Sequence, residues 1–163
     1  MDRLKELKER VVHICIENKV TVSFMESVTG GLLASLFTDI AGASGVFRGS
    51  LVTYSNEEKV RAGVPACVIE REGVYSTSCA NAMAKAIYDT YHVDMAVGIT
   101  GTTGNPDPAN PEGLLGEAFF SVMYEGKMHE YIINDEMNSM SREEIKKYYA
   151  TKVYETMLTL LRA

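Results

Sequence analysis

The chain of 163 residues has no tryptophan, 4 prolines, 3 histidines and 3 cysteines. Each scarcity narrows what the protein can be. Cys15, Cys67 and Cys79 are an odd number, form no C-x-x-C pair and sit in apolar stretches, which argues against a disulfide framework and fits reduced thiols in a cytoplasm. His13, His92 and His129 are far apart and lack the paired spacing of a zinc site, so no metal is expected. No segment approaches the roughly 20 apolar residues of a membrane span. The amino terminus alternates charge from Asp2 to Glu6 instead of leading into a signal core. A cytoplasmic protein with no membrane partner is the expectation. Basic runs are also missing: 16 Lys and Arg against 22 Asp and Glu give a net charge of −6. Nucleic acid is therefore a poor partner, because counterion-release binding needs a basic face.

What is present is 46% hydrophobic residues in a length that buries about two thirds of its unfolded surface, enough for one core without a staple. Residues 1–163 show no repeat, low-complexity tract or linker, and one domain is expected. Leu4, Leu7, Val11 and Ile14 recur on one helical face between Asp2 and Asn18. Val20 to Met25 reads as a strand, Thr29 to Ile40 as a helix and Val46 to Tyr54 as a second strand, which together predict a right-handed parallel unit. A short helix over Asn56 to Ala62 and a longer one over Ser76 to His92 follow, then a buried strand from Met95 to Thr100. After a Gly/Pro-rich loop from Gly101 to Gly113, strands over Leu114 to Tyr124 and Met128 to Ile133 flank a hairpin turn. The last helix begins at Ser141 with Glu144 in capping-box spacing. The sum is an α/β/α three-layer sandwich on a mixed, partly parallel sheet.

In such a sheet ligands bind outside the carboxyl ends of parallel strands, which singles out three loops. In the first, Glu26 to Gly31, a glycine pair at a helix start marks close approach or an unusual dihedral. Ser27 and Thr29 fit there as ordinary caps. The cap reading is favoured on residue type alone; the other reading is a nucleophilic Ser27 with the amides of Thr29, Gly30 and Gly31 free to hold an anion. In the second, Tyr54-Ser55-Asn56 precedes a helix that carries Lys59, with Asn56 as a candidate cap. Lys59 is either a solvated helix lysine or, turned inward beside Ser27, a general base. The third runs from Thr100 through Gly101, Thr102, Thr103 and Gly104 to Asp107, and is an ordinary loop or an anion cradle. Neither G-x-x-x-x-G-K-[ST] nor G-x-G-x-x-G occurs, so no cofactor is expected. Arg142, a cation in the first turn of a helix, opposes the macrodipole, a conflict that either a bound anion or the neighbouring Glu143 and Glu144 would relieve.

Glu26-Ser27-x-Thr29-Gly30-Gly31 is followed by Ala41-Gly42-Ala43-Ser44 with Phe47 and Gly49, then by Val52-Thr53-Tyr54-Ser55-Asn56 with Lys59. Gly73-Val74-Tyr75-Ser76 and Thr100-Gly101 complete the series. In this order and spacing the chain resembles the C-terminal domain of the CinA family, whose studied members include nicotinamide mononucleotide deamidases. The resemblance implies a metal-independent amidohydrolase acting on a pyridine nucleotide. Ser27 would be its nucleophile, Lys59 the base, Tyr54 a residue lining the site and Arg142 a looser match to a basic position. It implies substrate contacts at Thr29, Gly30, Gly31, Ser55, Asn56, Thr100, Gly101 and Thr102, and a homo-oligomer. The chain departs from the family pattern at Val28, at Ser50 and along Thr100 to Gly113, where later glycines and a cation are replaced. A nucleotide-binding or protein-interacting member without catalysis is the alternative those departures imply.

Overall fold

The structure is a computed structural model that describes residues 2–104, 108–110 and 116–163. Six helices and five strands are placed among them: α1 Asp2–Asn18, β1 Val22–Glu26, α2 Leu32–Thr38, β2 Phe47–Val52, α3 Asn56–Arg61, α4 Ala66–Glu72, α5 Thr77–Tyr91, β3 Met95–Gly101, β4 Glu117–Tyr124, β5 Lys127–Asn134 and α6 Arg142–Arg162. The strands form one sheet in the order β2-β1-β3-β4-β5. β1 pairs in parallel with both β2 and β3, whereas β3–β4 and β4–β5 are antiparallel. The β4–β5 hairpin turns on Glu125 and Gly126, both at positive φ, the backbone that a two-residue turn between right-twisted strands requires.

Alternating side chains divide the sheet between two cores. Phe24, Val97, Ile99, Phe120 and Val122 face one way and join Leu7, Val11 and Cys15 of α1, Leu33 and Phe37 of α2, and Tyr149, Val153, Tyr154 and Met157 of α6. Met25 and Ala96 face the other way, onto Cys79, Met83, Ala86 and Ile87 of α5 and onto Val64 and Val74. The α/β/α sandwich is thus formed by period-two alternation in the strands meeting apolar stripes in the helices. Each fully buried Leu or Phe contributes roughly 1.5–3 kcal/mol. Gly98 sets how closely the α5 layer approaches: a Cβ there would lie 2.5 Å from Ala84 N and 2.6 Å from Ala80 O.

Several boundaries differ from the sequence expectation for physical reasons. Helix α2 starts at Leu32 and not at Thr29, because Gly30 and Gly31 hold the preceding turn at φ +60° and +103°. Helix α4, for which no element was expected, lies between Pro65 at its start and Gly73 at its end, and it buries no residue. Only the half-buried Val68 and Ile69 pack against the second core, too short a stripe for periodicity to find. Ser141 and Glu144 form the expected capping box. The expected loop from Gly101 to Gly113 and strand start at Leu114 fall partly outside the described residues, and the described strand begins at Glu117. No described helix is long and apolar enough to cross a membrane.

Candidate active site

Register places the site. Glu26 of β1 pairs with Val52 of β2 and Ile99 of β3, so Ser27, Thr53 and Thr100 lie side by side where the parallel pairing ends, at the carboxyl ends of three strands. The chain passes from β1 to β2 on one side and later returns to β3 on the other, and a crevice opens where the strand order reverses. Here it is a cavity of about 410 Å³ lined by Ser27, Tyr54, Asn56, Lys59, Thr100 and Arg142, among others. That size lies in the roughly 300–1,000 Å³ range of small-molecule sites.

The floor is buried. Ser27 is 7% exposed and Lys59 2%. The Lys59 ammonium donates to Ser27 Oγ at 3.0 Å and to the Thr53 carbonyl at 2.9 Å. Helix α3 brings the lysine there: Ser55 caps it by accepting from Glu58 N, and one turn onward the Lys59 side chain points inward. Beneath it, burial pushes the Cys79 thiol up to about 11, while the Lys59 charge acts in the opposite sense. Thr100 Oγ1 donates to Val74 O at 2.8 Å, tying β3 to the segment before α5. The Tyr149 hydroxyl donates to Thr102 O at 2.7 Å, and burial raises its pKa, so it remains a donor.

The rim is open. Tyr54 is 59% exposed and accepts from Arg142 Nη2 at 3.2 Å. The amides of Asn56 and Asn110 exchange two hydrogen bonds of 3.1 and 3.0 Å across the mouth. Lys146, one turn beyond Arg142, extends toward the first loop, where a Cβ on Gly30 would lie 3.4 Å from its Nζ.

The structure brings Ser27, Lys59, Tyr54, Ser55, Asn56, Thr100, Gly101, Thr102 and Arg142 to one cavity, but not Thr29, Gly30 or Gly31. The expected free amides at Gly30 and Gly31 are both occupied: Gly30 N donates to Ser27 O at 3.0 Å and Gly31 N to Glu26 Oε1 at 3.2 Å. The N–H groups that donate to no described residue in this turn are those of Val28 and Thr29. Neither Ser27 nor Thr29 caps α2, and Ser55, not Asn56, caps α3. Gly101 is explained by strand packing instead of an anion cradle, since a Cβ there would lie 2.6 Å from Glu117 O. Val74, Tyr75 and Asn110 also line the cavity. Sequence reasoning missed them because their places depend on α4 and on the return of a distant loop. Asn110 sits in the family's altered stretch, a signal that pointed near the site without giving a role.

At the strand ends of this open α/β sheet a buried lysine thus donates a hydrogen bond to a buried serine on the floor of a cavity. The chain belongs to the CinA C-terminal domain family, whose model matches residues 4–161. It is 35% identical over 147 residues to Protein MG115 homolog of Mycoplasma pneumoniae, covering 90% of this chain and 91% of that one. It is 44% identical over 111 residues to a CinA-like protein of Chlorobaculum tepidum, covering 68% of this chain but 26% of that longer protein. Among solved structures, the competence/damage inducible protein CihA from Agrobacterium tumefaciens superposes with a TM-score of 0.86 at 27% identity, over 99% of this chain and 96% of that one. A CinA superfamily protein from Klebsiella pneumoniae gives 0.89 at 22% identity, covering 98% of each chain, and shares the fold.

Proposed function

We propose that the protein is a metal-independent amidohydrolase that converts nicotinamide mononucleotide to nicotinate mononucleotide and ammonia by a Ser–Lys mechanism. The observation that carries this reading is the 3.0 Å contact between Lys59 Nζ and Ser27 Oγ on the floor of the cavity. In the reactive state a neutral Lys59 takes the Ser27 proton as Oγ bonds to the carboxamide carbon, and the carbonyl electrons move onto oxygen. The N–H of Val28, which lines the cavity and donates to no described residue, is the donor of this turn available to that oxyanion. Collapse re-forms the carbonyl and breaks the C–N bond, with the Lys59 proton leaving on ammonia. Lys59 then deprotonates the water that attacks the ester, releasing nicotinate mononucleotide and restoring Ser27.

The ribose phosphate fits the rim. Arg142 lines the cavity, Lys146 follows it by one helical turn beside Gly30, and neither forms a described ion pair. A phosphate there would relieve the conflict between Arg142 and the helix dipole. Ammonia release from nicotinamide mononucleotide tests the reading. Turnover is expected from the wild type and not from Ser27→Ala or Lys59→Met of unchanged fold. Full activity in either variant removes the mechanism. Calorimetric binding of the mononucleotide without turnover would favour a non-catalytic member.

A further inference from the structure

Glu26 ends β1 and immediately precedes Ser27. Its residue is 0% exposed, and a carboxylate so placed needs hydrogen bonds to offset a desolvation cost of several kcal/mol. All its donors come from the next eight residues. Thr29 Oγ1 donates to Oε1 at 2.7 Å, Gly31 N at 3.2 Å and Leu33 N at 2.9 Å, while Ala34 N donates to Oε2 at 3.0 Å. Glu26 belongs to no described ion pair. Its charge is therefore met by dipoles of the loop that carries the serine.

Two consequences follow for Ser27. The amides that an uncapped helix start would offer to an incoming anion are taken from within the chain. The turn is also fastened at both ends: Ser27 N donates to Ile99 O at 3.1 Å, and Ser27 O accepts from Gly30 N at 3.0 Å, while the far side of the turn hangs on the carboxylate. We infer that Glu26 is a positioning residue. Its carboxylate serves as a built-in anion that holds the turn from 27 to 34, keeps Ser27 Oγ on Lys59, and leaves the Val28 N–H group for the reaction. This inference rests on the serine-nucleophile reading above.

Glutamine keeps the shape of Glu26 but supplies one oxygen and one NH2 donor, so either Ala34 N or the three donors at Oε1 would face a donor. The test uses a fluorophosphonate on the whole chain, because it reports Ser27 reactivity without assuming a substrate. Ser27 Oγ forms a bond to phosphorus, fluoride leaves, and the serine proton passes to Lys59. The wild type should be labelled at Ser27 and Ser27→Ala should not. Glu26→Gln should be labelled at least about tenfold more slowly at unchanged circular dichroism, with partial recovery in Glu26→Asp. A slowing of less than about tenfold, no recovery in Glu26→Asp, or no labelling of the wild type overturns the inference. If Glu26→Gln does not fold, Thr29→Val decides: it removes one of the four donors, and a labelling rate equal to wild type overturns the proposal.

Turnover separates this inference from the substrate reading. With nicotinamide mononucleotide, Glu26→Gln should lower kcat while KM stays within about threefold, and a proportionate rise in KM overturns the positioning role. Labelling of the wild type without ammonia release would refute the substrate reading while the labelling series still judges Glu26.

Discussion

The floor and the rim of the cavity are built on different terms. On the floor, Ser27 and Lys59 are almost wholly buried and hydrogen-bonded to each other, and the backbone around them is tied to Ile99, Glu26 and Thr53. At the rim, Tyr54 and Arg142 meet in solvent, and Asn56 reaches across to Asn110 on another loop. A group held rigidly where bonds change governs the chemical step, whereas an exposed group that meets the substrate's remote end governs binding. On the proposed function the contrast makes catalysis and recognition separable, and substitutions should sort accordingly.

The largest effects belong to the floor. Ser27→Ala and Lys59→Met should each lower kcat by roughly 1,000-fold or more, measured as ammonia released per enzyme at saturating mononucleotide. A double variant no worse than either single one would show the pair acting as a unit.

Next come the rim cations. Arg142→Ala should raise KM about 10- to 100-fold, the value of a charged hydrogen bond of about 1.5–3 kcal/mol, and leave kcat within a few-fold. Lys146→Ala should shift KM in the same direction. Both effects should shrink as salt is added, since these charges are open to solvent. A fall in kcat alone at Arg142 would erase the distinction between floor and rim.

Asn56→Ala removes a side-chain pair across the mouth and should cost about 1 kcal/mol of stability, read by urea denaturation, with KM moving more than kcat. The smallest effect compares two thiols. Cys67 is exposed whereas Cys79 is buried beneath Lys59, so a thiol reagent at neutral pH should modify Cys67 in the native protein and reach Cys79 only on unfolding. Folding holds the Cys79 proton up to about 11 against an ordinary value of 9.0. The unfolded chain releases it first, so this contribution to stability is whole below 9 and is lost as pH rises toward 11. Replacing Cys79 by alanine should flatten that part of the alkaline stability curve.

The same contrast explains what the sequence reveals unaided. Elements with a buried stripe, such as α1, α5 and α6, and strands with buried runs, such as β1 and β3, are legible because periodicity records which face meets the core. Helix α4 has no fully buried residue and turns only Val68 and Ile69 toward the core, which leaves little such record. At the site, the types and order of Glu26 to Gly31, Tyr54 and Lys59 identify the family, but whether Lys59 turns inward depends on register between strands and on the cap at Ser55. The role of Glu26 was hidden for a related reason. A glutamate next to a serine reads as surface or acid until three amides and a hydroxyl, all later in the chain, are seen to close on it. The glycines were read for anion contact, yet Gly30 and Gly31 serve the backbone turn and Gly101 serves the approach of β4.

A nucleophilic Ser27 must carry the substrate covalently during turnover, which acid quenching of the wild type on nicotinamide mononucleotide, followed by peptide mass spectrometry, would capture. An acyl adduct is expected on the peptide containing Ser27, with the mass of the mononucleotide less ammonia, and none in Ser27→Ala. Ammonia release at full rate with Ser27 unmodified throughout, or with the adduct on another residue, would contradict it.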